Sequence, residues 1–465
     1  MFKKFNILRP ILAILIVFIP LYPKFPLGNV AGTYVAIRLD DIIVALAVLV
    51  WGIYQIKDRF TILKEPITKM ALAYYLAILA SFVTAFFVYQ TEPKQILLLH
   101  LLRRFEYTSL LFLTISTLKK GLDLKIYYLI SLATVIGVML YGYGQKYLHL
   151  PVISTMNSEF SKGQLLQMDI WTRISSTFAG HYDLAAYLSV ILVIVGGVIV
   201  TQKNIFTKLV NIIIWLFAFN LLTLTASRVS IFAFFGGICL TFILLRKYLW
   251  IIPVTIIFSF SIFNSKDLNQ RLLATIPALK NQWSGPTSVP LPTALPTPTT
   301  PVIAVISPIK QTLSPTPTVI RHPPAEENIP IDADVGVARS GEIRFNAEWP
   351  RAITAFRKNV ITGTGLGSIT LATDNDYLRS LGESGLLGFT TFMGIMIFFM
   401  IKTFPHIFIK KVSQKSYLPI IFFGSLITFL FNATLIDVFE ASKTAYLFWI
   451  MMGFYYSVLT DINRK

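Results

Sequence analysis

Apolar runs of about 20 residues recur along this chain and constrain its fold more than any other feature. Hydrophobic residues make up 55% of the 465 residues and charged residues only 14%, and the mean hydropathy is +0.66. A soluble domain carries about 25% charged residues. A helix of about 20 apolar residues matches the ~30 Å hydrocarbon thickness of a bilayer. The sequence therefore predicts an all-α polytopic membrane protein.

We predict about twelve membrane spans from these runs. They lie near residues 8–22, 41–56, 68–89, 95–117, 124–143, 183–201, 208–225, 229–245, 248–263, 385–401, 417–436 and 440–460. The first run is short, contains proline and resembles the apolar part of a signal peptide. No cleavage site of small residues follows it, so we keep it as a span.

The net charge of +18 follows the predicted topology. Basic residues recur in every second loop, for example at Lys57, Lys119 and Lys203. This is the positive-inside pattern, and it predicts that both termini are cytoplasmic. The excess of positive charge then indicates attraction to anionic membrane lipids. We therefore expect membrane lipids, and not a nucleic acid, as partners of the basic loops.

One polar insert interrupts the apolar pattern, and the topology places it outside the cytoplasm. We assign residues 1–263 to the first nine spans, 264–384 to this extracytoplasmic loop, and 385–465 to the last three spans. The prolines and threonines between residues 285 and 330 favour extended polyproline II over a packed core. This part of the loop is predicted to be a disordered tether.

The later part of the insert, residues 341–384, has a helical pattern. Its apolar stripe consists of Trp349, Ile353, Phe356 and Val360. A glycine-rich turn at residues 363–367 is predicted to end this helix, and Asp374 or Asn375 can cap a second short helix. Gly385 then begins the tenth span.

Three segments carry polar residues that the membrane alone does not explain. Arg228 lies in the turn Thr225-Ala-Ser-Arg-Val-Ser230, where its planar guanidinium could bind phosphate oxygens or simply reach the lipid headgroups. Arg173 and His181 precede the sixth span and could line a binding site or be merely solvated. These alternatives stay open on residue chemistry alone.

Charged residues also occur within the fourth span, in Leu101-Leu-Arg-Arg-Phe-Glu-Tyr107. Charges at membrane depth are costly and normally face a cavity or one another. Arg103 and Glu106 can form a structural ion pair at i, i+3 spacing. Alternatively, Arg103 or Arg104 lies in a polar cavity near a bound substrate.

Several motifs follow one another in a fixed order. They are Thr225-Ala-Ser-Arg228, Arg344 ahead of Trp349, Gly363-Thr-Gly-Leu-Gly367, and Asn375-Asp-Tyr-Leu378 followed by Gly382-Glu-Ser-Gly-Leu-Leu-Gly388. Together they resemble the O-antigen ligase and O-antigen polymerase superfamily over about residues 173–389. The resemblance implies a GT-C-like architecture of about twelve helices with a large extracytoplasmic loop, in the inner membrane of a bacterium.

The resemblance also implies an activity. That family transfers a glycan from a polyprenyl-diphosphate carrier to the hydroxyl of a glycan or lipid-core acceptor. Carried over to this chain, Arg228 and Arg344 would hold the carrier diphosphate, and Asp374 with Asn375 would replace the family's His-Asn pair. Asp374 would then be the catalytic base, because a carboxylate can accept a proton when its pKa is suitable. Arg173, His181, Arg103 and Arg104 would line the substrate site.

Two other functions compete with this one. Asp374-Asn-Asp376 resembles the metal motif of nucleotide-sugar transferases, but arginines can neutralise a diphosphate without a metal. We therefore expect neither a metal nor another cofactor. A non-enzymatic exporter of polysaccharide or lipid is the alternative, although no internal repeat typical of transporters is visible.

Overall fold

The structure is a computed structural model. It describes residues 6–23, 25–29, 36–90, 94–119, 121, 123–153, 165–166, 173–264, 343–369, 373–408 and 417–463. The chain divides into two compact units, and all of these residues belong to the first, Met1–Asn269 with Glu342–Lys465. The tether predicted at residues 285–330 lies outside the described residues, so it stays a prediction.

The described part of the chain forms thirteen α-helices. They are α1 (Leu8–Leu21), α2 (Leu39–Lys57), α3 (Pro66–Val83), α4 (Lys94–Leu118), α5 (Leu124–Tyr147), α6 (His181–Thr201), α7 (Ile205–Leu224), α8 (Arg228–Leu244), α9 (Ile251–Asn264), α10 (Trp349–Lys358), α11 (Asp376–Phe408), α12 (Leu418–Asn432) and α13 (Ser442–Asn463). Each run predicted to span the membrane coincides with one helix. The remaining helix, α10, is the first of the two predicted inside the insert, and the second forms the beginning of α11, before Gly385.

Seven of these helices are long and apolar enough to cross a membrane: α2, α3 with its π-helical extension to Val88, α5, α6, α7, α11 and α13. The apolar helices α1, α8, α9 and α12 are shorter. Helix α4 has 25 residues, but it carries Arg103, Arg104 and Glu106. This architecture is compatible with an all-α polytopic membrane protein.

Two short antiparallel hairpins were not predicted. Strand β1 (Pro26–Asn29) pairs with β2 (Ala36–Arg38), and β3 (Val152–Ile153) pairs with β4 (Leu165–Leu166). Both lie in connections between helices, and with four residues or fewer per strand they are too short for a recognisable alternation of apolar and polar residues.

Small residues let some helices pack closely. Helix α13 packs mainly on α4, α12 packs on α8 and α6, and α11 packs on α3 and α10. Where α8 meets α12, a Cβ added to Gly237 would lie 3.2 Å from the carbonyl oxygen of Gly424. The two backbones therefore touch, as is common between membrane helices that meet at glycine.

Several helix termini meet at one end of the bundle, which we call the site end. The amide of Asp376 at the start of α11 donates to Ala433 after α12 (3.0 Å). Lys443 at the start of α13 donates to Pro20 of α1 (3.1 Å) and to Thr177, just before α6 (2.7 Å). The Ser230 hydroxyl at the start of α8 donates to Asn432 at the end of α12 (2.7 Å). The site end therefore joins segments that are distant in sequence.

Candidate functional site

The turn that leads into α8 fixes the position of Arg228. The Thr225 side chain is fully buried, and its hydroxyl donates to the carbonyl of Leu222 (2.6 Å) and accepts from the amide of Ser227 (3.3 Å). Ala226 has φ +52°, a conformation that costs about 1–3 kcal/mol for a residue other than glycine. Arg228 is the first residue of α8. The serine and threonine therefore build the turn, and the arginine leaves it at the site end.

Arg173 and His181 contact each other, as their common assignment to one site requires. Nη1 of Arg173 lies 2.7 Å from Nε2 of His181. His181 begins α6, and its ring packs on the ring of Tyr182 with 4.1 Å between centroids. This contact brings Tyr182 into the site.

Arg344 binds Asp374 across thirty residues of chain. Its Nε (3.0 Å) and Nη2 (2.6 Å) both donate to Oδ2 of Asp374. Within the described residues, no other side chain hydrogen-bonds the Asp374 carboxylate. Oδ1 can therefore accept a hydrogen bond or a proton from a bound molecule. Arg344 also hydrogen-bonds Tyr182. The ion pair is partly buried, with 12% of the Arg344 side chain and 29% of the Asp374 side chain exposed.

Three arginines converge at this point. Arg228 interacts electrostatically with Tyr182, Arg344 and Arg173. The three guanidiniums come from the segment before α6, from the start of α8, and from the π-helical turn Arg344–Glu348 before α10. We call Arg173, Arg228 and Arg344 the arginine cluster. These arginines lie with Asp374 at the site end, where several like charges favour an anionic ligand.

Asn375, and not Asp374, caps the helix that follows. The amide of Leu378 donates to Oδ1 of Asn375 (2.9 Å), which is the usual bond from an N-cap residue to the third helical position. Asp374 has φ +49°, in the left-handed region. Its carboxylate points to Arg344 instead of to the helix end. The two capping alternatives left open by the sequence are thus separated.

Burial tunes two carboxyl groups of the site. Burial raises the pKa of Asp374 above its ordinary value, Arg344 lowers it, and the nearby Asp437 carboxylate raises it again. Glu348, one turn after Arg344, has its pKa raised to about 7 by burial and by Asp374. Oε2 of Glu348 is buried and has no hydrogen-bond partner among the residues that the structure describes. Both groups can therefore exchange protons nearer to neutral pH than an ordinary carboxylate.

Asp374 and Asp376 do not converge on one point. Oδ2 of Asp376 accepts from the amide of Phe439 (3.1 Å), whereas Asp374 binds Arg344. The acidic motif Asp374-Asn-Asp376 is therefore not arranged as a pair of metal ligands.

Arg103 and Arg104 belong to two other polar clusters. Arg104 binds the carboxylate of Glu440 and the carbonyl of Phe439 (3.1 Å). Arg103 interacts electrostatically with Tyr107, Asp41, Tyr446 and Glu106. Glu106, predicted to pair with Arg103, is thus one of several groups that interact with it electrostatically. No contact links either arginine directly to Arg228 or Arg344 in the described part of the chain.

Tyr182, Glu348 and Asp437 were not singled out from the sequence. Tyr182 follows His181 directly, so an aromatic residue beside a suspected binding histidine was the available signal. Glu348 lies four residues after Arg344 on one helical face. Asp437 is an acidic residue between two apolar runs, which is itself a signal because charges are rare there.

An apolar cavity of about 280 Å³ lies elsewhere, between α1, α5, α6, α12 and α13. Its lining is almost wholly hydrophobic, and it includes none of the residues that form the arginine cluster. A polar or charged ligand needs charged and hydrogen-bonding partners. The arginine cluster is therefore the candidate functional site.

No family model matches the sequence, and no curated protein is significantly similar to it.

Proposed function

We propose that this protein is a membrane glycosyltransferase that moves a glycan from a polyprenyl-diphosphate carrier to an acceptor hydroxyl, as an O-antigen ligase or polymerase does. The observation that carries the proposal is the convergence of Arg173, Arg228 and Arg344 beside Tyr182 and Asp374. A diphosphate needs several cationic donors, and a transfer to a hydroxyl needs a nearby base. This cluster offers both.

The diphosphate would bind to the guanidiniums. A planar guanidinium matches phosphate oxygens through two parallel hydrogen bonds, which a lysine cannot reproduce. Arg228 and Arg344 would contact the diphosphate, and Arg173 would add positive charge nearby. Charge on the leaving diphosphate grows as its bond to the sugar breaks, so fixed cations stabilise the transition state more than the ground state.

Asp374 would accept the proton of the acceptor hydroxyl. The hydroxyl oxygen attacks the anomeric carbon, the bond from that carbon to the diphosphate oxygen breaks, and the diphosphate leaves with the electron pair. The proton passes to Oδ1 of Asp374, which the Arg344 pair leaves accessible, and then to water. A single displacement of this kind inverts the configuration at the anomeric carbon. Asn375 would hold Asp374 in place by starting α11 directly after it.

The proposed topology has twelve spans, cytoplasmic termini and a large extracytoplasmic loop, in the inner membrane of a bacterium. In this topology α6, α8 and α11 all begin on the outer side, so the arginine cluster would meet the outer leaflet. The carrier lipid would enter sideways from that leaflet. The acceptor would be a second glycan or a lipid core.

Transfer by the purified protein tests the proposal against the exporter alternative. The protein in liposomes receives a synthetic polyprenyl-diphosphate-linked glycan and a candidate acceptor glycan. An enzyme forms a new glycosidic bond and releases polyprenyl diphosphate in equal amounts. An exporter moves the lipid-linked glycan across the bilayer and leaves it intact. Movement without bond formation, across a panel of acceptors, would contradict the proposed function.

A further inference from the structure

The segment that carries Asp374 is held by a residue from a distant loop. Asp437 lies between α12 and α13, and its carboxylate accepts from two backbone amides. Oδ2 accepts from the amide of Thr373 (2.9 Å), and Oδ1 accepts from the amide of Asn375 (3.2 Å). These are the residues immediately before and after Asp374. One carboxylate therefore fixes both sides of the residue whose backbone is left-handed.

Asp437 is itself fixed in place by Arg379 of α11. Nη1 of Arg379 donates to Oδ2 of Asp437 (3.2 Å), and Nη2 donates to the carbonyl of Ile369 (3.1 Å). Nε of Arg379 donates to Glu383 (3.2 Å). Only 10% of the Arg379 side chain and 14% of the Asp437 side chain are exposed. Bonds of this kind gain strength in a partly buried setting because water does not compete for them.

The conformation of Asp374 explains what the hydrogen bonds to Asp437 do. A left-handed backbone costs less for aspartate than for most residues other than glycine, but local hydrogen bonds still decide whether it is adopted. The amides of Thr373 and Asn375 both point to Asp437, so the peptide groups around Asp374 cannot rotate without losing a hydrogen bond. The carboxylate of Asp374 is then directed to Arg344.

We propose that Asp437 is a positioning residue that holds Asp374 in the orientation needed to accept a proton. This inference rests on the proposed function. Asp437 hydrogen-bonds the backbone amides on either side of Asp374, so it acts on the reaction through Asp374. Arg379 completes the arrangement by fixing the carboxylate of Asp437.

Asp437 also contributes charge to the site. The charged and titratable groups that face Asp374 are Arg344, Glu348 and Asp437, with Tyr182 bound to the same arginine. The negative charge of Asp437 raises the pKa of Asp374. Removal of that charge therefore lowers the pH at which Asp374 loses its proton. This shift reports the charge of Asp437, whereas its positioning of Asp374 is reported by kcat and by backbone exchange.

The variant Asp437→Asn keeps the shape of the side chain, loses its charge and keeps one of its two acceptor oxygens. We expect kcat for glycan transfer to fall about tenfold or more, because small misplacements of a reacting group carry large penalties. The donor KM should stay within about twofold, since the arginines remain. The acid limb of the kcat profile should move to lower pH. The matched control is Asp58→Asn, which removes a carboxylate far from Asp374 in sequence and not among the site residues.

Hydrogen–deuterium exchange of the peptide that contains residues 373–378 gives a second readout that needs no activity. We expect faster exchange there in Asp437→Asn than in the wild type, with unchanged exchange in α6. An unchanged kcat and an unmoved acid limb would overturn the inference, and so would unchanged exchange at residues 373–378. If the wild type transfers no glycan at all, the proposed function fails, and the exchange result alone decides whether Asp437 holds the Asp374 segment.

Discussion

Asp374 and Asn375 are neighbours with different tasks. The sequence offered either as a helix cap, and it left open whether Asp374 does chemistry. In the structure Asn375 caps α11, whereas Asp374 binds Arg344 from a left-handed backbone. The local sequence pattern could locate the two residues, but it could not show which one caps the helix. That depends on Arg344, thirty residues earlier, and on Asp437, more than sixty residues later.

The variant Asp374→Asn distinguishes a catalytic role for Asp374 as a base from a purely structural role. We expect transfer to fall about 100-fold or more, since a general base contributes about 10²–10⁴ to a rate. Stability should change little, because Asn375 keeps the cap and asparagine also tolerates a left-handed backbone. Asp374→His should recover part of the activity, because a histidine titrates near neutral pH. Near-normal turnover of Asp374→Asn, measured on purified protein, would leave the base to another residue.

The raised pKa of Glu348 predicts that the stability of the protein depends on pH. Its pKa is raised from 4.5 to about 7 in the folded protein, so the folded state binds an extra proton between these values. This group therefore makes the protein less stable as the pH rises through that window. Glu348→Gln should raise the Tm relative to the wild type by a few degrees at pH 8 and by little at pH 4. An equal difference at both pH values, measured in one detergent, would show that the carboxyl group is not perturbed.

At the scale of elements, helix positions followed from hydropathy, but the break in α11 required the structure. Gly385 has φ 64° and ψ −169°, a combination almost restricted to glycine, and it divides α11 into a short first helix and a long apolar one. The break leaves backbone amides that donate hydrogen bonds to the preceding loop instead of to their own helix. The amides of Leu386 and Leu387 donate to Val360 (2.8 Å) and Ile361 (3.0 Å). The glycine before the tenth span was recognised in the sequence, whereas this pairing of loop and break was not.

Gly385→Ala should destabilise the protein by about 1–3 kcal/mol from backbone strain alone. A Cβ at this position would also overlap the carbonyl oxygen of Ile361, which belongs to backbone and cannot move aside easily. Gly394→Ala on the same helix is the matched control, because its Cβ would lie 3.8 Å from the nearest atom, Cε of Met70. Thermal unfolding of both variants checks this. Equal Tm values would mean that the break does not depend on Gly385.

At the scale of the whole molecule, the helical architecture could be predicted because each apolar run is long enough to form a helix of its own. The site could be predicted only in part. Arg173, His181, Arg228, Arg344 and Asp374 stood in recognisable motifs, and the structure brings them together. Arg103 and Arg104 were assigned to the same site, but they face Glu106, Asp41 and Glu440. A sequence shows that a buried charge needs a partner, but it does not show which one.

The twelve-span topology predicts the side of each terminus and of the large loop. Reporter fusions at Thr300 and Lys465 should report opposite sides of the membrane, because basic residues recur in alternate loops. The reporters would be an enzyme active only outside the cytoplasm and a protein fluorescent only inside it. A result that puts both positions on the same side would contradict an even number of spans with an external insert.

Glycan transfer by purified Arg228→Ala protein tests the central claim most directly, because the claim is that arginines from separate segments bind one diphosphate. We predict a loss of kcat/KM of about 100-fold or more with a polyprenyl-diphosphate-linked donor, and only partial recovery in Arg228→Lys, which keeps the charge without the planar donor pair. Lys247→Ala, a basic residue just beyond the other end of α8, should leave transfer unchanged. Full activity in correctly folded Arg228→Ala protein would contradict the account.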